Sequence, residues 1–134
     1  MSKEAFDWVR ARNDCSLLAV FRSLQSAAEK DVETRNALRG KADEYRFIYK
    51  SNPKTEGFFV IREGNFVGLT ISFQVVGSAI LVTEMPSNHE LLTAVPTLTN
   101  ERACMLKVNS QELEEWQVLK LALEALFFEI TETR

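Results

Sequence analysis

Residues 108–131, VNSQELEEWQVLKLALEALFFEIT, predict a long amphipathic helix at the C-terminal end of the chain. Asn109 can accept a hydrogen bond from the first turn while Glu112, three residues later, reaches back to it, as in a capping box. Val108 and Leu113 occupy the two positions of a hydrophobic staple, which sets the angle at which a chain enters a helix. The whole stretch is therefore expected to form one helix.

This predicted helix carries two apolar stripes. At about 100° per residue, the wider stripe is expected to pack on a sheet, and its members are Trp116, Leu119, Leu123, Leu126, Phe127 and Ile130. The narrower stripe lies opposite, and its members are Val118, Leu121, Ala125 and Phe128. A helix with a single neighbour has no reason to place apolar residues on its far side. The narrower stripe is therefore expected to be covered by an N-terminal helix, by a second subunit or by another protein.

The residues before this helix alternate between apolar and polar with a period of two, which is typical of strands. The predicted strands span residues 45–50, 57–63, 66–75, 79–84, 92–99 and 103–108. Segment 85–93 predicts a loop or a single helical turn, and Pro96 limits the strand that follows to a sheet edge at best. The pattern predicts an antiparallel meander of four to six strands.

Gly64-Asn65 predicts a two-residue hairpin turn that pairs Glu63 with Phe66 and so sets the register of two strands. One face is then expected to lie on the core, and it consists of Phe58, Val60, Arg62, Val67, Leu69, Ile71 and Phe73. The other face combines polar positions with an apolar patch formed by Phe59, Ile61 and Phe66. This patch is a candidate interaction surface.

Two helices are predicted before the sheet. Residues 2–12 favour a short first helix, Asn13-Asp14 a break, and residues 14–39 a long second helix that ends at Gly40. Asp31 and Arg35 are four residues apart in the second helix, and we expect them to form a solvated surface ion pair. The predicted fold is thus a single α+β domain over residues 1–134, with N-terminal helices, a meander and a C-terminal helix packed on the sheet.

Composition favours an ordinary globular domain. The chain has 134 residues, of which 46% are hydrophobic and 26% charged, close to the average of soluble domains. No apolar run of signal-peptide or membrane-spanning length is present, so we expect a cytoplasmic protein without membrane contact. A core of this size has little need of a disulfide, and Cys15 and Cys104 are therefore expected to be free thiols.

The charge distribution argues against nucleic-acid binding. Residues 1–67 hold 12 Lys and Arg against 10 Asp and Glu, whereas residues 68–134 hold 4 against 9. Nucleic-acid binding depends on clustered cations that neutralise phosphates, and the chain has no dense run of Lys or Arg. The acidic excess lies in the C-terminal half.

No constellation of residues predicts catalysis, a metal or a cofactor. His89, the only histidine, neighbours Glu90, and a lone imidazole beside one carboxylate is usually a solvated residue. Two cysteines are too few for a thiolate zinc site, and the five glycines match neither the Rossmann nor the Walker spacing. A non-enzymatic function is therefore expected.

Two functions fit these features. The first is a protein-interaction or adaptor module, acting on a protein partner or as a homodimer through the narrower helical stripe and the Phe59, Ile61 and Phe66 patch. The second is a carrier of a small apolar ligand. The order of two helices, a meander and a long helix resembles that of the helix-grip folds, without their usual leading strand.

Overall fold

The computed structural model describes residues 5–39, 45–64 and 69–129. Within these ranges the chain forms three helices and seven strands, which confirms the α+β class. In chain order the elements are α1 (Trp8–Asp14), α2 (Leu17–Leu38), β1 (Arg46–Asn52), β2 (Gly57–Glu63), β3 (Leu69–Val76), β4 (Ala79–Met85), β5 (His89–Leu98), β6 (Cys104–Val108), β7 (Gln111–Leu113) and α3 (Glu115–Phe128). No helix within the described ranges is long and apolar enough to cross a membrane.

The strands form an antiparallel meander in which each strand pairs with the next one along the chain, in the order β1 to β7. This confirms the predicted meander, although the sheet has one strand more than the upper limit expected. The addition is β7, which occupies residues assigned to the C-terminal helix by the sequence pattern. Sequential hairpins of this kind need only short connections.

The register between β2 and β3 differs from the prediction by two residues. A two-residue turn would pair Arg62 with Val67, whereas the structure pairs Arg62 with Leu69. The observed register places Phe58 directly opposite Phe73, and their rings stack with centroids 4.5 Å apart. Because a shift of two residues leaves every side chain on its original face, the predicted core face is preserved. Its buried members are Phe58, Val60, Arg62, Ile71 and Phe73.

The core lies between this face of the sheet and a layer formed by α2 and α3. Phe21 of α2 packs on Phe58 with ring centroids 5.4 Å apart, and Phe127 of α3 packs edge-on against Phe47 at 5.1 Å. Burial of such a side chain stabilises the fold by about 1.5–3 kcal/mol before its entropy cost is subtracted. The predicted packing of the C-terminal helix on the sheet is confirmed.

Both N-terminal helices are present, but their boundaries differ from the prediction. α1 begins after Asp7, whose carboxylate accepts a hydrogen bond from the first turn. The break falls at Cys15 and Ser16, not at residues 13–14, because the Ser16 hydroxyl caps α2 by accepting from the Ala19 N–H at 3.3 Å. The predicted end of α2 at Gly40 lies outside the described residues.

The start of the C-terminal helix is also corrected. Asn109 and Ser110 have φ angles of 51° and 68°, and they form the two-residue turn between β6 and β7. Positive φ at both central positions is the requirement of a type I′ hairpin turn, whose twist suits paired strands. α3 therefore begins after Glu114, whose backbone N–H donates to the Gln117 side chain at 2.8 Å.

Strand β5 replaces most of the loop expected over residues 85–93. The predicted hairpin with the following strand is confirmed, because β5 pairs with β6 from Val95 to Leu98. Pro96 is accommodated inside the sheet because the pairing of β5 with β4 ends at Ala94. Beyond that point β5 has only one neighbour, so the restriction of proline to a sheet edge holds locally.

Cys15 and Cys104 form a disulfide, so the expectation of free thiols is wrong. Their Cα atoms are 5.5 Å apart although 89 residues separate them in the chain. The bond joins the C-cap of α1 to the first residue of β6. Spacing along the chain carries no information about such a contact, which depends on how α1 and the sheet come together.

Candidate binding groove

The residues predicted to form the narrower stripe of α3 divide into two groups. Val118 is fully buried in the core, so it is not available to a partner. Leu121 and Phe128 are 60% and 66% exposed, and Ala125 is exposed as well. Within the described residues, the rest of the chain therefore buries only Val118, the first member of this stripe, and leaves the others exposed.

The predicted patch on the sheet lies on the face opposite the helices. Phe59 and Ile61 are half-buried there, and Ile61 pairs with the similarly half-buried Ile48 of the edge strand. Phe66, the third member, lies outside the described residues. The patch is therefore present but less exposed than the helical surface.

Trp116 does not lie on the sheet as predicted. It is 60% exposed at the start of α3 and lines an opening that is also lined by residues of α2. Leu38, near the end of α2, is 73% exposed. Both are large apolar side chains exposed near an end of their helix. The available signal for Leu38 was an apolar residue more than a turn beyond Val32, the last buried position of α2.

These side chains border an open groove between α2 and α3, which we call the α2–α3 groove. Its volume is about 360 Å³. The apolar lining consists of Leu38, Trp116, Leu119, Leu123, Phe127 and Phe128. Three of these, Leu119, Leu123 and Phe127, also belong to the buried core, so the groove opens directly above the packed interior.

Arg35 fixes one end of the groove. It was predicted to form a surface ion pair with Asp31, but its Nε donates to the Phe127 carbonyl at 2.9 Å. Its guanidinium also lies over the rings of Phe47 and Phe128, at 5.1 and 4.9 Å from their centroids. A cation is favourable at the C-terminal end of a helix, where carbonyl groups lack intrahelical partners.

Arg62 supports the same end of α3 from beneath. It is only 6% exposed, it donates to the Glu129 carbonyl at 3.2 Å, and its guanidinium lies 4.5 Å from the centroid of the Tyr45 ring. Its predicted place on the core face is confirmed. Two arginines from different elements thus hold the last turn of α3 against α2 and the sheet.

A second groove lies where α2, β6 and the start of α3 meet, and we call it the acidic groove. Its volume is about 570 Å³. Three carboxylates line it, those of Asp14, Glu114 and Glu115, together with Ala19, Ser23 and Met105 among others. Cys104, an exposed residue, is part of the same wall.

The two grooves adjoin at the start of α3, where Glu115 and Trp116 are consecutive. Asp31 lines the α2–α3 groove near this point. Partial burial at the rim raises the pKa of the Asp31 carboxyl, and the negative charge of Glu115 raises it further, whereas Lys30 lowers it. The junction is therefore a region of negative charge beside an exposed aromatic ring.

The described residues contain no group of three or more His, Cys, Asp or Glu that could hold a metal ion. His89 begins β5 and pairs with Glu84, while the neighbouring Glu90 accepts a hydrogen bond from the Thr93 hydroxyl at 2.9 Å. These side chains are arranged along an exposed strand and not around a pocket.

Comparisons with protein-family models, with curated proteins and with solved structures found no match to this chain.

Proposed function

We propose that the protein is a non-enzymatic interaction module whose α2–α3 groove binds an amphipathic helix of a protein partner. The observation that carries the proposal is the border of the groove, where Leu38, Trp116 and Phe128 are 60% or more exposed. Exposed apolar patches on soluble proteins mark interaction sites, and buried aromatic residues contribute most of the binding energy at such sites.

The dimensions of the groove suit a helix. From Trp116 to Phe128, α3 rises by about 18 Å, or a little over three helical turns. A partner helix that lies along it can place apolar residues at positions i, i+4 and i+7 over Leu119, Leu123 and Phe127, as helix-in-groove complexes do. The charged residues at the rim would then contact its polar flanks.

A homodimer is the second form of this proposal. Leu121 and Ala125 lie on the side of α3 that faces away from the groove, and both are exposed. A second copy that covers them would bury the part of the narrower stripe that this chain leaves open. Its test is the oligomeric state of the protein in solution.

The alternative, a helix-grip-like carrier of a small apolar ligand, has less support. A carrier of that kind holds its ligand between the sheet and the helices. In this chain Phe21, Phe58 and Phe73 occupy that space and are fully buried, with Leu24 and Leu123 beside them. The two grooves described above open at the surface instead.

The cytoplasmic location predicted from the sequence stays a proposal, and the Cys15–Cys104 disulfide argues against it, because structural disulfides are rare in reducing compartments. Rapid alkylation of thiols in the native cells, followed by mass spectrometry of this chain, distinguishes a cytoplasmic location from an oxidising compartment. Alkylated Cys15 and Cys104 would support the cytoplasm, and an intact bond would support an oxidising compartment.

Photo-crosslinking tests the proposed groove. Trp116 is replaced by p-benzoylphenylalanine in the native cells, and the matched control carries the same group at Val76, which is 50% exposed at the end of β3 and outside the groove. We expect a discrete cross-linked protein from position 116 alone. The partner, once identified and purified, should bind the Trp116→Ala variant at least about tenfold more weakly, as expected for loss of an aromatic anchor.

Three results would count against a different protein as the occupant of the groove. Equal cross-linking from both positions would indicate non-specific contact, and no product from position 116 would indicate an unoccupied groove. A product of twice the mass of the chain would instead identify a second copy as the occupant.

A further inference from the structure

We infer that the partner helix is basic, with Lys or Arg side chains that lie over the acidic groove while its apolar residues occupy the α2–α3 groove. This inference rests on the proposed function and specifies the chemistry of the partner. It is carried by the position of the acidic groove, whose Glu115 directly precedes Trp116 of the apolar groove.

The two grooves share α2 and the first turn of α3. Ala19 and Ser23 of α2 line the acidic groove, and Leu38 of the same helix lines the apolar one. At the junction Glu115 belongs to the first and Trp116 to the second. A helix that extends beyond the apolar groove at its Trp116 end is therefore placed to reach Glu115, on the wall of the acidic groove.

The lining of the acidic groove contains three carboxylates and no Lys or Arg. Arg12, which lies two residues before Asp14 in the chain, donates to the Cys15 carbonyl at 3.1 Å. Arg22, on the turn of α2 between Ala19 and Ser23, lies 3.7 Å from the Glu56 carboxylate. Neither guanidinium forms an ion pair with a carboxylate of the acidic groove.

The α2–α3 groove is more nearly balanced. Lys120 pairs with Glu124 at 3.3 Å, and Arg35 is held by the Phe127 carbonyl and two aromatic rings. Asp31 makes no hydrogen bond or ion pair with another described residue. Its carboxylate therefore adds to the negative charge at the junction.

Complementary charge sets the orientation and the association rate of a complex more than its total affinity. A cation of the partner beside Asp31 and Glu115 would offset the repulsion between these two carboxylates. A partner with carboxylates at the same place would add to it, which disfavours acidic helices. The negative groove likewise disfavours nucleic acid.

Three synthetic helical peptides test the inference. They share one apolar face of Leu and Phe at positions i, i+4 and i+7, and they differ at one end, which carries three Lys, three Gln or three Glu. Fluorescence anisotropy with the intact chain at low salt should give binding of the Lys peptide about tenfold tighter than that of the Glu peptide, with the Gln peptide between them. The difference should shrink at 0.5 M salt, because exposed charges are then screened.

Paired variants locate the effect. The double variant Asp31→Asn with Glu115→Gln should reduce the Lys-to-Glu preference below about threefold, since it removes two of the junction charges. The control, Glu33→Gln with Glu63→Gln, removes the same charge at two exposed positions outside both grooves and should keep the full preference.

The outcomes separate this inference from the function on which it rests. If the three peptides bind equally well and Trp116→Ala weakens all of them, the groove is a binding site and the basic partner is wrong. If the control variant loses the preference as much as the junction variant, the effect is one of net charge and the inference fails. If none of the peptides binds, the proposed groove fails and the inference fails with it.

Discussion

Asn36, near the end of α2, closes the free edge of the sheet. Its Nδ2 donates to the Phe47 carbonyl at 2.7 Å, and its Oδ1 accepts from the Phe47 N–H at 3.0 Å. Arg39, one turn later, donates to the Tyr45 carbonyl at 3.0 Å. The Asn36 side chain thus makes the hydrogen bonds that the backbone of a further strand would make. This protects an exposed edge from pairing with another chain.

Replacement of Asn36 by Ala should lower the free energy of unfolding by about 1–3 kcal/mol, because it leaves two backbone groups of a part-buried strand without their partners. Urea denaturation measures the change. The control is Asn13→Ala in α1, an exposed position where the change should stay below about 1 kcal/mol. Equal effects at both positions would contradict the role given to Asn36.

At the scale of elements, the turn between β6 and β7 determines where α3 begins. Asn109 suits two structures, since asparagine is favourable both as a helix N-cap and in the left-handed region. The sequence pattern favoured the cap, but the turn prevailed because it adds β7 to the sheet and buries Leu113. Ser110 has a φ of 68°, and serine is less favourable than asparagine or glycine in this left-handed region.

Ser110→Gly should therefore raise the free energy of unfolding by about 0.5 kcal/mol, because glycine relieves the left-handed strain but costs more chain entropy. The same change at Ser78 is the control. Ser78 follows Gly77, which supplies the positive φ of its own two-residue turn, so Ser78→Gly should lower stability by about 0.5–1 kcal/mol. Thermal unfolding of both variants measures the difference. Destabilisation by both would contradict the assignment of a left-handed conformation to Ser110.

At the scale of the whole molecule, the disulfide ties the N-terminal helices to the far half of the sheet. α1 contains no buried residue. Besides the disulfide, a second contact lies just before α1, where the Arg102 guanidinium is 4.6 Å from the centroid of the Phe6 ring. Closing a loop of 89 residues reduces the entropy of the unfolded chain, which stabilises the folded one.

Reduction of the bond should lower the free energy of unfolding by about 2–5 kcal/mol. Urea denaturation with and without dithiothreitol measures this loss in the unaltered chain. The double variant Cys15→Ala with Cys104→Ala should show no response to the reductant. Two reactive thiols in the purified, unreduced protein would contradict the disulfide.

The homodimer form of the proposed function is also decided at this scale. Leu121→Asp places a charge on the exposed side of α3 and should give a folded monomer, because an unpaired charge is costly in an apolar interface. Ala125→Asp should act in the same way, because Ala125 is exposed on the same side of α3. Sedimentation measures the mass, with Val76→Asp as the control, and a wild-type protein that stays monomeric at high concentration would exclude the homodimer.

Several features followed from the sequence alone because their causes are local. Alternation with a period of two identified β1 to β4, β6 and the later part of β5, and helical spacing identified α2 and most of α3. The core face of β2 and β3 was correct although the register was not, because a slip of two residues does not change which side chains share a face.

Other features were decided only by the tertiary structure. The disulfide, the capping of β1 by Asn36 and the direction of Arg35 toward α3 each join residues that are distant in the chain or that the local pattern had paired otherwise. The candidate groove belongs with them. Trp116 fits the buried stripe by its angle on the helix, but it is 60% exposed and borders the groove. Periodicity gives the direction of a side chain on its own helix, but only packing determines whether another element lies there to cover it.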